Sequence, residues 1–212
     1  MANIMPINIP LPQEPIMANY NWTDVASGVG FVTFDLFQTD NSTATEYRIS
    51  DNVLGGEGSH APVSSGTVTF TFDSSPLGTP RVMMGTAFAL FSQAVWSTGG
   101  SGNSASVYAV VSICKWDGTN ETVLATQTTS TLSRVSALEA VTRSLGFSIA
   151  KTNFKIGEQI RIKVAVTSAI SGTGRTRTIW DPLNRDSGGE ASITASTNPT
   201  YFKINIPFKI DL

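Results

Sequence analysis

Residues 158–168 read EQIRIKVAVTS, and the order of apolar and polar side chains in them decides the fold class. Ile160, Ile162, Val164 and Val166 fall on one side of an extended chain, while Gln159, Arg161, Lys163 and Thr167 fall on the other. Successive side chains of a strand point to opposite faces, so this alternation marks a strand with one wet face. The same period places Val68, Phe70 and Phe72 of TVTFTF together. In the closing KINIPFKIDL, Ile204, Ile206, Phe208, Ile210 and Leu212 share one side, and Lys203, Asn205, Pro207, Lys209 and Asp211 the other.

Working outward, RVMMGTAFALF (81–91) and SVYAVVSICKW (106–116) are apolar at odd and even positions alike, the pattern of strands covered on both faces. Further strands are expected at 29–37, 121–131, 145–150 and 192–196. KWDGTNET reads as a tight hairpin because Asp-Gly is a strong turn dipeptide, and the glycine-rich STGGSGNSAS and LGGEGS read as surface loops. One helix is expected in LSRVSALEAVTRSL (132–145), where Leu132, Val135, Leu138, Val141 and Leu145 recur every three or four residues and Ser136 with Glu139 has capping-box spacing. A chain of 212 residues that is 41% hydrophobic has material for a core, and only 14% of it is charged, with Ser, Thr, Gly and Asn abundant. These features predict an all-β fold, a jelly-roll-like antiparallel β-sandwich with one short helix. Its domain organisation is an extended N-terminal arm over 1–19 followed by a single sandwich domain over 20–212.

Chemistry has little material to work with. The one histidine, His60, lies in the loop-like GEGSHAPVSS with no spacing that links it to a nucleophile or to metal ligands. The one cysteine, Cys114, has no intrachain disulfide partner, and its context VSICKW reads as strand, where a thiol acts as a small hydrophobe. There is no zinc-ligand set, nucleophile elbow, phosphate loop or dinucleotide fingerprint, and Gly28 and Gly30 in SGVGF read as strand-entry glycines. The 16 acids define no glycosidase pair, and FQTDNSTATE lacks the regular spacing of a calcium loop. The expectation is a non-enzymatic protein with no cofactor, no metal and no catalytic residue. Of the four tryptophans, Trp96 and Trp180 are the candidates for a sugar-stacking platform, set against the ordinary use of tryptophan in a core. No run of 18 apolar residues occurs and the N-terminus lacks the pattern of a secretory signal, so a soluble chain made in a cytoplasm, with no membrane partner, is expected.

The net charge of −2 conceals an asymmetry. Residues 1–47 contain no Lys or Arg, whereas 143–179 carry Arg143, Lys151, Lys155, Arg161, Lys163, Arg175 and Arg177 against Glu158 alone. Opposite fields on separate segments favour contacts within or between copies, and the lack of clustered cations in the N-terminal segment disfavours nucleic acid. Within that segment, MPINIPLPQEPIM (5–17) has four prolines, each without an N–H and with a fixed φ, so the segment is neither helix nor central strand. Burying Ile7, Ile9, Leu11, Ile16 and Met17 contributes about 1.5–3 kcal/mol each, against roughly 1–2 kcal/mol for each backbone residue fixed. Such an arm orders only on a surface that receives it. INIPL (7–11) recurs as INIPF (204–208), and both read as edge elements laid over the chain's own sandwich or a neighbour's. Arg175 and Arg177, in the Gly-flanked SGTGRTRTIW, read as an outward loop and join Ile7, Ile9, Leu11 and Ile16 as the expected interface.

NYNWTDVASGVGFVTF, FKIGEQIRIKVAV, TIWDPLNR and IPFKIDL resemble segments of small β-sandwich virion structural proteins of tailed bacteriophages, of the head decoration or cement type. The resemblance implies an auxiliary head protein on the outer surface of the capsid, made in the host cytoplasm, that oligomerises and stabilises the shell. It also implies contact with the major capsid protein or another virion protein. A homo-oligomer is expected, and a trimer fits the threefold positions of a shell. An acidic arm argues against a coat that faces its genome, and the larger α+β fold of the common major shell protein is not what these strands resemble. The alternative is a carbohydrate- or receptor-binding module of a phage tail or fibre.

Overall fold

The computed structural model describes residues 29–39, 46–52, 58–60, 64–185, 193–194 and 197–209. The strands are β1 (Val29–Thr39), β2 (Glu46–Ser50), β3 (Gly58–His60), β4 (Gly66–Asp73), β5 (Arg81–Ser97) and β6 (Ser104–Trp116). They continue as β7 (Glu121–Thr128), β8 (Leu132–Arg134), β9 (Ala137–Phe154), β10 (Gln159–Ser171), β11 (Arg175–Trp180) and β12 (Phe202–Lys209). No helix occurs among the described residues, and the fold is an all-β sandwich.

One layer is built around β5, which pairs with β9 along its whole length on one side and with β12 and then β11 on the other. β12 pairs onward to β1, β1 to β2, and β11 to β3. The second layer runs β4–β10–β6, and the far edge of β6 takes β7 and β8. β2 joins the layers through the parallel pair Arg48–Asp73; the other pairings among the described residues are antiparallel.

The alternation in β10 is realised side chain by side chain. Ile160, Ile162, Val164 and Val166 are buried together with Val107, Val111 and Ile113 of β6, and face Phe91, Ile204 and Ile206 of the other layer within one core. Phe91 stacks on Phe202 with ring centroids 4.2 Å apart. The KWDGTNET hairpin forms as expected: the Asp117 carboxylate accepts the backbone N–H groups of Thr119 and Asn120 at 2.8 and 2.6 Å, and Gly118 takes φ +95°.

Four expectations need correction. The helix expected over 132–145 is strand: β8 ends at Arg134, β9 begins at Ala137, and Ala137 has the left-handed φ of 63°. From Val141 onward a period of two takes over, with Val141, Leu145, Phe147 and Ile149 turned to the core. Second, INIPF is not an edge element, because β12 lies between β1 and β5. Third, 81–91 is open on its outer face at Gly85, Thr86 and Phe88, and coverage on both faces falls instead at 91–95; in β6 the second face is half-buried. Fourth, Ile193 and Thr194, the described part of the strand expected at 192–196, are not strand. The arm over 1–19, with Ile7, Ile9, Leu11 and Ile16, lies outside the described residues, as does most of LGGEGS.

Candidate functional site

Trp180, on β11, is fully buried and packs against Tyr47, Phe70 and Phe72 at centroid separations of 6.0, 4.7 and 5.4 Å. It is a core residue that presents no face to a sugar, which removes it from the expected platform. Trp96 is half-buried near the end of β5, on the outer face, against a small apolar cluster of Ala94, Ile179 and Ile193. Arg175 and Arg177 lie on β11 rather than in a loop, both half-buried, paired in register with Trp96 and Ala94. The register of β9 adds Leu138, 46% exposed, on the other side of Trp96. One row across three strands therefore reads Leu138, Trp96, Arg175. The glycine-rich loop beside it is held in place, since Asn103 Nδ2 donates to the Gly99 carbonyl at 2.6 Å and Asn103 Oδ1 accepts the Thr173 N–H at 3.2 Å.

The basic segment 143–179 is spent mainly on sheet structure. Arg161 donates to both oxygens of Asp73 at 2.7 and 2.9 Å, reaches Glu121 at 3.4 Å, and lies 4.0 Å from the centre of the Trp116 ring. Lys163 pairs with the same Glu121 at 2.9 Å. The hydrogen bond from Lys163, helped by the nearby charges and opposed by burial, holds the Glu121 carboxyl below its ordinary range. Hydrogen bonding to Asp73 raises Arg161 in turn, against its own burial. Between β6 and the turn before β10, Lys115 pairs with Glu158 at 2.7 Å. Cys114 is buried and its thiol is pushed up to about 11, chiefly by burial, so it is not a thiolate at neutral pH.

Two further polar groups sit deep. Arg143 faces inward from β9, donating from Nε to Gln93 at 3.1 Å and from Nη1 to Ser130 at 3.0 Å, while Gln93 donates to Thr178 at 3.3 Å. Asp181 is fully buried and accepts the N–H groups of Leu183 and Arg185 at 3.1 and 2.6 Å and the Arg185 guanidinium at 2.8 Å. That explains DPLNR as a turn closed by its own aspartate. His60 lies on β3 and pairs in register with Thr178. Among the described residues no group of three or more His, Cys, Asp or Glu is placed to hold a metal ion.

One concavity among the described residues is announced by no motif. At the end of the sandwich where β1 begins, a cavity of about 540 Å³ opens between the layers. Val32 and Phe34 of β1, Leu77 and Phe208 line it, and Arg81, Lys209 and Asp51 stand around it. Phe34, Leu77 and Phe208 are half-buried and continue the main core outward. The lining comes from segments far apart in sequence: the pairing of β1 with β12 brings Gly30–Phe34 beside Phe208 and Lys209, and Ile49–Asp51, Ser74–Gly78, Arg81, Val82 and Ile160 complete it.

No protein family and no curated protein sequence matches the chain. Among solved structures it is similar to a CocE/NonD family hydrolase from Staphylococcus aureus, at 12% identity and TM-score 0.43, over 82% of this chain and 36% of that one. It is also similar to an aminopeptidase from the marine sediment archaeon Thaumarchaeota archaeon, at 12% identity and TM-score 0.47, over 83% of this chain and 36% of that one. A third is the structure of infectious bursal disease virus, Gx strain, at 10% identity and TM-score 0.28, over 86% of this chain and 37% of that one. Hydrolases are thus prominent among these structures, and the chain spans little more than a third of their length. At these identities and scores the likenesses assign no activity to this chain.

Proposed function

We propose that this protein is a non-enzymatic structural component of a virus particle, a decoration or cement protein that oligomerises on the outer surface of the capsid and stabilises the shell. The observation that carries this reading is the use made of its charged groups. Asp73, Arg161, Glu121 and Lys163 form one ion-paired network across β4, β10 and β7, with Arg161 also covering Trp116 of β6. Asp181 is consumed by its own turn, and Lys115 by Glu158. Groups that could do chemistry are instead tied to one another, which stiffens a sheet and suits a body that bears load. The acidic, proline-punctuated arm supplies the means of attachment. Mass-spectrometric quantification of gradient-purified particles from the encoding genome tests this: a fixed number of copies matching shell symmetry is expected, and absence from the particles overturns it.

A second reading is favoured by the row Leu138, Trp96 and Arg175, which sets an aromatic face beside a guanidinium and an exposed aliphatic side chain at the glycine-rich end of the sandwich. On that reading the protein is a carbohydrate- or receptor-binding module of a tail or fibre. A glycan array in which binding is seen and is lost on Trp96→Ala supports it; an empty array removes it.

A further inference from the structure

We propose that the cavity at the end of the sandwich where β1 begins is a binding site for a small amphipathic anion, a medium-chain carboxylate whose hydrocarbon tail lies between the layers and whose head stands at Arg81 and Lys209. The site goes beyond the shell role and does not depend on it.

The lining changes character with its burial. Its large buried side chains, Ile49 and Ile160, are aliphatic, and its half-buried walls include Val32, Phe34, Leu77 and Phe208. Ser74, the buried polar side chain of the lining, is already satisfied: its hydroxyl donates to the Ser75 carbonyl at 2.8 Å and accepts the Ile160 N–H at 3.0 Å. No buried side chain there asks for a polar ligand, so the inner part suits a hydrocarbon. A volume of about 540 Å³ falls within the range of roughly 300–1,000 Å³ usual for small-molecule sites.

Charge selects the head. Arg81, Lys209 and Asp51 are the exposed charged residues of the lining, and the register of Phe208 with Met83 sets Arg81 and Lys209 on adjacent strands at the same end of the sheet. Neither cation has an ion-pair partner among the described residues, whereas Arg161, Lys163 and Lys115 are all paired. Two cations against one carboxylate leave a single positive charge in excess at the mouth, which suits a monoanion. Val29–Phe34 of β1 pair with β12 alone among the described residues, so strand addition of an extended peptide competes for the same place. Depth favours the small molecule: Ile49 lies on β2 and Ile160 on β10, so the cavity runs in between the layers, where a peptide laid on the β1 edge reaches only with alternate side chains.

Isothermal titration of the full chain with octanoate, decanoate, decanol and decyltrimethylammonium, each below its aggregation concentration, tests the inference. Saturable binding at one site is expected, tightening by roughly 2- to 4-fold for each methylene added between octanoate and decanoate. Decanoate should also bind more tightly than the alcohol or the cation of equal length. The Arg81→Gln, Lys209→Gln variant, changed only at exposed positions, should weaken decanoate by about 2- to 10-fold at low salt and by less at physiological salt, and leave decanol unchanged. Location is read separately: a nitroxide-labelled fatty acid should broaden the methyl NMR signals of Val32, Ile49, Leu77 and Ile160 before that of the exposed Val123 on β7. No saturable binding, affinity indifferent to chain length or head-group charge, or broadening centred elsewhere overturns the assignment. An extended peptide of alternating Val and Thr that binds there when decanoate does not overturns it in favour of strand addition to β1. These readings use the isolated chain, so their failure leaves the shell role standing, and absence from particles leaves the cavity's ligand standing.

Discussion

Gly85 and Pro207 lie against each other where β5 meets β12, with the position of a Cβ on Gly85 3.6 Å from Cβ of Pro207. Pro207 has no N–H for the ladder, and the register between β12 and β5 shifts between Asn205 and Phe208 to pass it. On the other side of β5 the register to β9 shifts between Met83 and Gly85, where Gly85 takes φ +112°. A bulge on one strand thus answers a proline on the next, and a proline-bearing segment becomes a central strand.

Gly85→Ala is therefore expected to destabilise the fold by about 1–3 kcal/mol through backbone strain, because the space itself is ordinary van der Waals contact. Pro207→Ala should cost less. Urea midpoints at constant m-value decide it, and a Gly85→Ala chain as stable as the parent contradicts the strained-bulge account.

Trp180→Ala should cost about 3–5 kcal/mol, the loss expected for a large aromatic removed from a packed core. Trp96→Ala should cost much less, since Trp96 is only half-buried. Thermal melts of the two variants, followed by near-UV circular dichroism, give the ranking; equal losses would be inconsistent with their placement.

Acid titration should separate two carboxylates of opposite behaviour. Asp35 is buried with Lys203 3.8 Å away, and burial raises its pKa more than Lys203 lowers it. Its ionisation opposes folding, so the penalty is absent below the unfolded value of about 3.9 and complete above the raised folded value. Asp35→Asn should then be more stable than the parent at neutral pH, with the difference fading on acidification. Glu121, held low first by Lys163, stabilises above its unfolded pKa and loses that contribution as pH falls through its folded value. Glu121→Gln should be less stable at neutral pH and converge with the parent in acid. Stability measured by urea between pH 3 and 8 reads both, and parallel curves would refute the assignments.

Asp181→Ala should destabilise by about 2–5 kcal/mol, because it leaves the N–H groups of Leu183 and Arg185 and a guanidinium without their shared acceptor. Hydrogen exchange at Leu183 and Arg185 should accelerate first; unchanged protection there contradicts the turn-closing role.

What could be read in advance followed from short-range order. Ile160 to Val166 declared their strand because each residue's face depends only on parity, and Asp117-Gly118 declared its turn because the dipeptide sets its own geometry. Residues 132–145 misled because Arg143 occupies a core-facing position between Val141 and Leu145, which hides the period of two and leaves a helical spacing in view. What makes Arg143 tolerable there is Gln93, fifty residues away. Trp180 could not be told from Trp96 for the same kind of reason, since burial is decided by Tyr47, Phe70 and Phe72 from other strands. The cavity was invisible because its lining is gathered from segments distant in the chain.

The central claim, that this sandwich is a structural part of a viral shell, is tested most directly by a cryo-electron microscopy reconstruction of intact particles assembled from the encoding genome. The account predicts density for the sandwich on the outer capsid surface, at symmetry-related positions around shell axes. Density confined to a tail or fibre, or none anywhere on the particle, would contradict it.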